Sequence, residues 1–284
     1  MSNSLDSTLV NKILLTRGIS KLQGKLPFLG AFTTDFSDDV RDQRSRSISV
    51  PFVSGGSAVQ TNPTDFETGD TGSINRVITM DHISRSFYIT SADYGSGTRL
   101  ESLADTAMTI VANAIEAKVF ALLTQTNYVS AVASVTGDMT SANLKALWAA
   151  VPGDYKVAVL KDSKYAAFLP ADLQSFNPAL GLSVLGFDRL DHSSNGFASA
   201  ESGVVGFASA KSGIVMAAAI PDYTPEVKDM LTSSEVMEVP GLGISVQLNT
   251  WASAKTRQTW ASFDVLFGAQ VGDTNALKLV TGAN

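Results

Sequence analysis

The side chains able to do chemistry are few, and their spacing gives them little to work with. Two histidines occur, His82 in a stretch that reads as strand and His192 in a loop. Neither has a second histidine or a paired carboxylate at metal-ligand spacing, so both read as structural or solvent-facing. The segment GISKLQGK, residues 18–25, resembles a phosphate-binding loop. Five residues separate its glycines, however, no Ser or Thr follows the lysine, and no strand precedes it. There is no Gly-x-Ser-x-Gly elbow for acyl transfer. Asp35, Asp38 and Asp39 read as solvated loop acids, and Arg41, Arg44 and Arg46 lack the number and interleaved aromatics of a nucleic-acid patch. No catalytic constellation, cofactor site or metal site is expected.

What the sequence does show is a set of elements around one long helix. Residues 98–127 carry Leu103, Ala107, Ile110, Val111, Ala114, Ile115, Val119, Leu122 and Leu123 at steps of three and four, uninterrupted by Gly or Pro. Thr98 and Glu101 fit a capping box at its start. Asn113, Glu116 and Lys118 interrupt the stripe, so it is no membrane span. Upstream, residues 4–17 read as an amphipathic helix with Leu5, Leu9, Val10, Ile13 and Leu14 on one face and Gly18 to close it. The residues after it read as an extended arm, or alternatively as an ordinary helix and loop on their own domain.

Residues 47–53 alternate as a strand, with Pro51 marking a sheet edge, and residues 74–90 form a second extended run. With the Gly-, Ser- and Thr-rich loop between them they predict a long two-stranded hairpin leading into the helix. Two strands alone cannot bury a face, so the same chain or a neighbour must cover this ribbon.

Beyond the long helix, residues 139–238 alternate helix and strand as an α/β unit. It contains a helix capped by Thr140 or Ser141, a strand at 156–160, a second helix from Asp162, and a strand over 182–190. Residues 244–249 and 262–267 read as an antiparallel pair joined by a polar turn around 253–256 and packed on the long helix.

Composition limits the function further. The chain has 284 residues, 44% hydrophobic and 17% charged, as expected of a folded soluble protein. A net charge of −6 argues against gripping nucleic acid through its phosphates. Absence of cysteine excludes disulfides and thiolate metal sites. The first residues, with Asp6 among them, do not read as a secretory signal, and the apolar run at 214–220 is too short to cross a bilayer.

Taken in order, these pieces resemble a tailed-bacteriophage major capsid protein of the Hong Kong 97 type. The resemblance rests on TTDFS (33–37) ahead of the first hairpin strand, VITMDHISRSFYIT (77–90) ahead of the long helix, and YKVAVLKDSKYAAFL (155–169). It continues through LSVLGFDRLDHSSN (182–195), VGFASAKSGIVMAAAIP (205–221), and FDVLFGAQV (263–271) before LKLVTG. It implies an α+β fold with an N-terminal arm (1–43), an extended hairpin loop (44–92), and a peripheral domain carrying the spine helix (93–138). An axial α/β domain (139–238) and closing strands of the peripheral domain (239–284) complete it.

The function it implies is structural, with no enzymatic activity and no cofactor. Subunits would assemble as pentamers and hexamers, by way of a procapsid, into an icosahedral virion shell built in the host cytoplasm. Scaffolding and portal proteins and non-specifically held double-stranded DNA would be its partners, with no membrane. An encapsulin-type nanocompartment enclosing an enzyme has the same fold and is the alternative; a soluble α/β enzyme is the remote one. At residue level, Asp65, Glu67 and Asp70 near the hairpin tip and Arg44, Arg46 and Arg85 at its base and return strand suggest charge pairing between successive subunits. The alternative is that these charges merely solubilise a loop. Nothing in the sequence marks a Lys–Asn pair for covalent crosslinking.

Overall fold

The computed structural model describes residues 6–32, 47–54, 72–90, 92–169, 186–253, 255–256 and 258–283. Helix α1 (Ser7–Lys25) lies alongside helix α2 (Gly97–Phe120). Arg17 donates from Nε and Nη2 to the two carboxylate oxygens of Asp105, both at 2.9 Å, and Lys25 Nζ donates to Asn113 Oδ1 at 3.2 Å. Both partners are displaced by the same interval in sequence, so the two helices run parallel and in step. Val10, Leu14, Leu22, Leu100, Ala104, Met108, Val111 and Ile115 fill the space between the helices and the sheet beneath.

This arrangement corrects three expectations. Gly18 does not end α1; it lies buried inside it. A Cβ there would meet Met108 Cε at 3.0 Å and Phe263 Cζ at 3.1 Å, so its absence lets the helix approach its neighbours closely. Next, the described part of the expected arm is not extended. After α1 comes a 3₁₀ turn (Pro27–Ala31), and Leu26, Phe28 and Leu29 are buried in the main core. Through residue 32 the chain forms a helix and a turn packed into the main core.

The third correction concerns the capping and length of the spine helix. Thr98 and Glu101 lie within α2, whose N-cap is Ser96, and no side chain caps it. The helix stops at Phe120, after 24 residues or roughly 36 Å. There the backbone tightens, with Leu122 N donating to Val119 O and Leu123 N to Phe120 O. Asn127 Nδ2 takes the Leu122 carbonyl at 2.9 Å, which satisfies the backbone outside the helix. The buried face is also turned slightly from the expected stripe, leaving Ile110 exposed.

Strand β1 (Ser47–Ser54) pairs antiparallel with β2 (Gly72–Thr79) as a separate two-stranded ribbon. The return run does not continue in that ribbon. It breaks at Met80, and β3 (Asp81–Ile89) enters a five-stranded sheet. That sheet also holds β8 (Ile214–Ala219), β9 (Ser233–Val239), β10 (Ile244–Ser253) and β11 (Gln258–Val271), with order β3-β11-β10-β9 and β8 pairing the far end of β11. The β10–β11 pair is antiparallel as expected, and Phe263, Val265 and Phe267 join the spine helix in one core.

The second five-stranded sheet holds β4 (Ser130–Val135), β5 (Val157–Lys161), β6 (Arg189–Ser193), β7 (Val204–Ser209) and β12 (Leu277–Gly282) in the order β4-β12-β7-β5-β6. β12, expected with β10 and β11 among the closing strands, lies instead in this second sheet between β4 and β7. Conversely β8 and β9, expected with the α/β unit of residues 139–238, pair with β11 and β10 in the first sheet. Helix α3 (Ser141–Ala150) packs beside this second sheet, and its N-cap Thr140 accepts from Asn143 N at 3.3 Å. The short α4 (Asp162–Tyr165) follows β5, and α5 (Pro225–Met230) lies between β8 and β9. The two sheets share one core through Phe120, which meets Phe28, Phe197 and Phe207 edge-on.

Candidate assembly interface

The base of the ribbon is the first feature with a functional geometry. Ile48, Val50, Ile78 and Met80 pack with Val215, Ala217 and Leu266 in a small cluster separate from the main core. The same chain thus covers the base of the hairpin, which answers part of the question its two strands raise. β2 crosses β11 at Gly268, where a Cβ would lie 2.6 Å from Thr79 O and 2.7 Å from Ile78 Cγ2. Gln270 Nε2 donates to Val77 O at 3.2 Å beside the crossing. The ribbon is therefore held where it leaves the sheet, and it leaves past the C-terminal end of β11.

A polar network lies near this exit. His82 Nε2 and Asp264 Oδ1 are 3.0 Å apart, Asn249 Nδ2 donates to Asp264 Oδ2 at 2.9 Å, and Ser262 Oγ also donates to that carboxylate. Tyr223 stands beside the network, and burial, followed by the charge of Asp264, pushes its hydroxyl up to about 12. Asp264 is only 2% exposed, so this is a satisfied buried carboxylate that ties β3, β10 and β11 together. His192 likewise has a carboxylate, with Asp162 Oδ1 at 2.8 Å from Nδ1, and it stands against the Tyr165 ring. Each histidine thus has an acid partner that sequence spacing does not reveal. Among the described residues no group of three or more His, Cys, Asp or Glu could hold a metal, and no helix is long and apolar enough to cross a membrane.

The opposite end of the first five-stranded sheet carries an aromatic ladder. Trp251 and Trp260 are cross-strand partners with rings stacked at 6.4 Å, and Trp260 meets Tyr88 across β3 at 5.9 Å. Tyr88 is 50% exposed. Beside it, Asp93 fixes the turn into the spine helix: its Oδ2 accepts from Thr90 N at 2.7 Å and from Thr90 Oγ1 at 2.6 Å, and Arg99 Nε lies 2.7 Å from Oδ1. Burial favours the neutral acid here, but the bonds from Thr90 and the charge of Arg99 outweigh it and lower the Asp93 pKa.

A carboxylate with a depressed pKa contributes stability above its unfolded value, and that contribution is lost as pH falls through the folded value. Asp93→Ala is expected to lower stability by about 2 kcal/mol near neutral pH. The difference from the unsubstituted protein should shrink as pH drops below about 4. Urea unfolding followed across that range measures both effects.

Of the residues expected to make intersubunit contacts, Arg85 is described: it stands exposed on β3, in the first five-stranded sheet and not in the ribbon. Arg44, Arg46, Asp65, Glu67 and Asp70 lie outside the described residues. Tyr88, Trp251 and Trp260 were not among the expected contacts. Their signal was the near-symmetric placing of the two tryptophans about the 253–256 turn, which sets them opposite each other.

The whole arrangement is a ribbon projecting from a helix-backed sheet that is joined to a second mixed sheet, and it has solved counterparts. The virus-like particle from Pyrococcus furiosus matches with a TM-score of 0.57 at 10% identity, over 95% of this chain and 98% of that one. The chain has the Hong Kong 97-type capsid fold. The capsid of the native GTA particle, solved with C5 symmetry, shares this fold at a TM-score of 0.50 and 15% identity, over 85% of this chain and 86% of that chain. No protein-family model matches the sequence, and neither does any curated protein. The Hong Kong 97-type fold thus rests on three-dimensional likeness at low sequence identity.

Proposed function

We propose that this chain is a bacteriophage major capsid protein. It assembles through pentamers and hexamers into an icosahedral virion shell that encloses double-stranded DNA. The observation that supports this most is the Hong Kong 97-type fold over nearly the whole chain, shared with a particle-forming protein. A structural role without turnover follows from that reading. The anchored ribbon adds a physical reason for assembly, because two strands need a surface beyond their own to cover them. Covering them on a neighbour also blocks uncontrolled edge pairing. A net charge of −6 suits a container that holds DNA without gripping it. Portal and scaffolding proteins would be its transient partners in the host cytoplasm.

In this reading the acids Asp65, Glu67 and Asp70 of one subunit face Arg44, Arg46 and Arg85 of the next. Exposed pairs contribute about 0–1 kcal/mol each, so they set register more than strength. Reversing all three acids to Lys is expected to stop shell formation while the monomer keeps its circular dichroism and thermal midpoint. Normal shells from the reversed protein would rule the pairing out. The contents of native particles test the function itself. Nuclease-protected double-stranded DNA is the expected finding, whereas a packaged enzyme without DNA would make the protein an encapsulin-type compartment.

A further inference from the structure

We propose that the cavity between α5 and the start of β9 binds one neutral polyhydroxylated ring, a pyranose sugar, against Tyr223 and the amide of Gln247. The assignment goes beyond the shell reading, since it requires a folded chain and not an assembled one. The cavity has a volume of about 230 Å³ and is lined by Tyr223, Lys228, Leu231, Ser233, Ser234 and Gln247.

Its walls come from two sources. The connection from β8 to β9, which includes α5, supplies Tyr223, Lys228 and Leu231, while the first residues of β9 and Gln247 of β10 form the other side. Gln247 is 8% exposed. Its Nε2 donates to Ser234 Oγ at 2.7 Å, which fixes the amide, and its Oε1 has no hydrogen-bond partner among the described residues. Asn249, 2% exposed, repeats the pattern two residues along β10 and on the same face. Its Nδ2 donates to Asp264 Oδ2 at 2.9 Å and lies 3.4 Å from the Tyr223 hydroxyl, and its Oδ1 has no partner among the described residues. Buried acceptors are seldom left in this state, and two neighbouring ones mark a place where donors are to be received.

The chemistry of the walls narrows the ligand. The Gln247 oxygen calls for a donor, whereas the Lys228 ammonium offers donors beyond its contact with Asp222 at 2.6 Å. A cation would meet that ammonium, and an anion would meet the Asp222 carboxylate and the unpaired amide oxygen. A neutral group that donates and accepts through one atom avoids both conflicts, and a hydroxyl is such a group. Ser233 and Ser234 add two hydroxyls able to exchange hydrogen bonds with it. Tyr223 and Leu231 supply apolar surface, which suits the C–H face of a sugar ring. The volume is below that of pockets for drug-sized ligands, so the cavity suits a single ring. On a shell the site would recur in every subunit, and weak single contacts would add up.

Saturation-transfer NMR of the purified protein tests this with methyl β-D-glucopyranoside, methyl β-D-galactopyranoside and methyl α-D-mannopyranoside as probes. The method reads weak binding to a monomer and to a particle alike. At least one glycoside is expected to take up saturation, most strongly on its ring C–H protons. Gln247→Met should weaken that binding about tenfold, the equivalent of one lost hydrogen bond, with the thermal midpoint reporting whether the variant is folded. Lys228→Ala should weaken it in the same direction, and its exposed position keeps the test decisive if Gln247→Met does not fold. No transfer to any of the three glycosides would overturn the assignment, and so would undiminished transfer in the folded variants. A thermal midpoint raised by calcium chloride or sodium phosphate, and by none of the glycosides, would make this an ion site and overturn it as well.

Discussion

Replacing Phe120 by Ala is expected to destabilise the protein by about 3–5 kcal/mol, the upper range for truncating a single side chain. Phe120 is fully buried at the end of the spine helix. Its ring meets Phe28 at 5.4 Å, Phe197 at 4.9 Å and Phe207 at 5.7 Å, all edge-on. Such pairs add to the burial energy of the rings themselves. The site also resists collapse, because its neighbours come from the turn after α1, the Gly196–Ala198 turn and β7. Gly196 is shaped to the ring, since a Cβ there would lie 2.7 Å from Phe120 Cζ. Urea unfolding should show the loss as a lower midpoint with an unchanged slope. A cost below about 1 kcal/mol would mean that the two sheets do not depend on this hub for their joint core.

Gly268→Val is expected to have the largest effect on assembly. The added Cβ would press on Thr79 O and Ile78 Cγ2 at 2.6 and 2.7 Å. The first of these is backbone and cannot rotate away, so β2 itself must move. Overpacking of this kind costs about 1–3 kcal/mol. Because the ribbon base is a satellite cluster of Ile48, Val50, Ile78 and Met80 on β8 and β11, the main core can survive its displacement. The expected outcome is a folded monomer whose β1 and β2 amides exchange faster and which no longer forms shells. Gly268→Ala should shift both in the same direction by less. Normal shells with normal amide protection in Gly268→Val would show that the crossing does not fix the ribbon.

Much of this architecture was legible because it rests on local periodicity. The spine helix and the β10–β11 pair repeat their apolar residues at helix and strand spacing, and both occur. The failures share a cause, which is that pattern reveals an element but not its neighbour. Gly18 read as a helix stop because glycine costs helix propensity, yet close packing on Met108 and Phe263 overrides that cost. The return strand read as one run because alternation continues across Met80, although its halves enter different sheets. LKLVTG carries no mark of the sheet it joins, and pairing with β4 and β7 is settled by contacts far away in sequence.

The site was legible to a lesser degree for the same reason. His82 and Asp264 are 182 residues apart, so no spacing rule brings them together. Arg85 could be picked out by charge, but its place beside Tyr88, Trp260 and the start of α2 needed the sheet register. The helix start was misplaced because Thr98 and Glu101 fit a local motif, while the turn that precedes it is held by Asp93 and Thr90 upstream.

The central claim, that this chain builds a shell, is tested most directly by gradient sedimentation with negative-stain microscopy of the purified protein at micromolar concentration. The account predicts closed shells, or rings of pentamer and hexamer size. A protein that remains a single 29.9 kDa species at every concentration and turns over a substrate would contradict it.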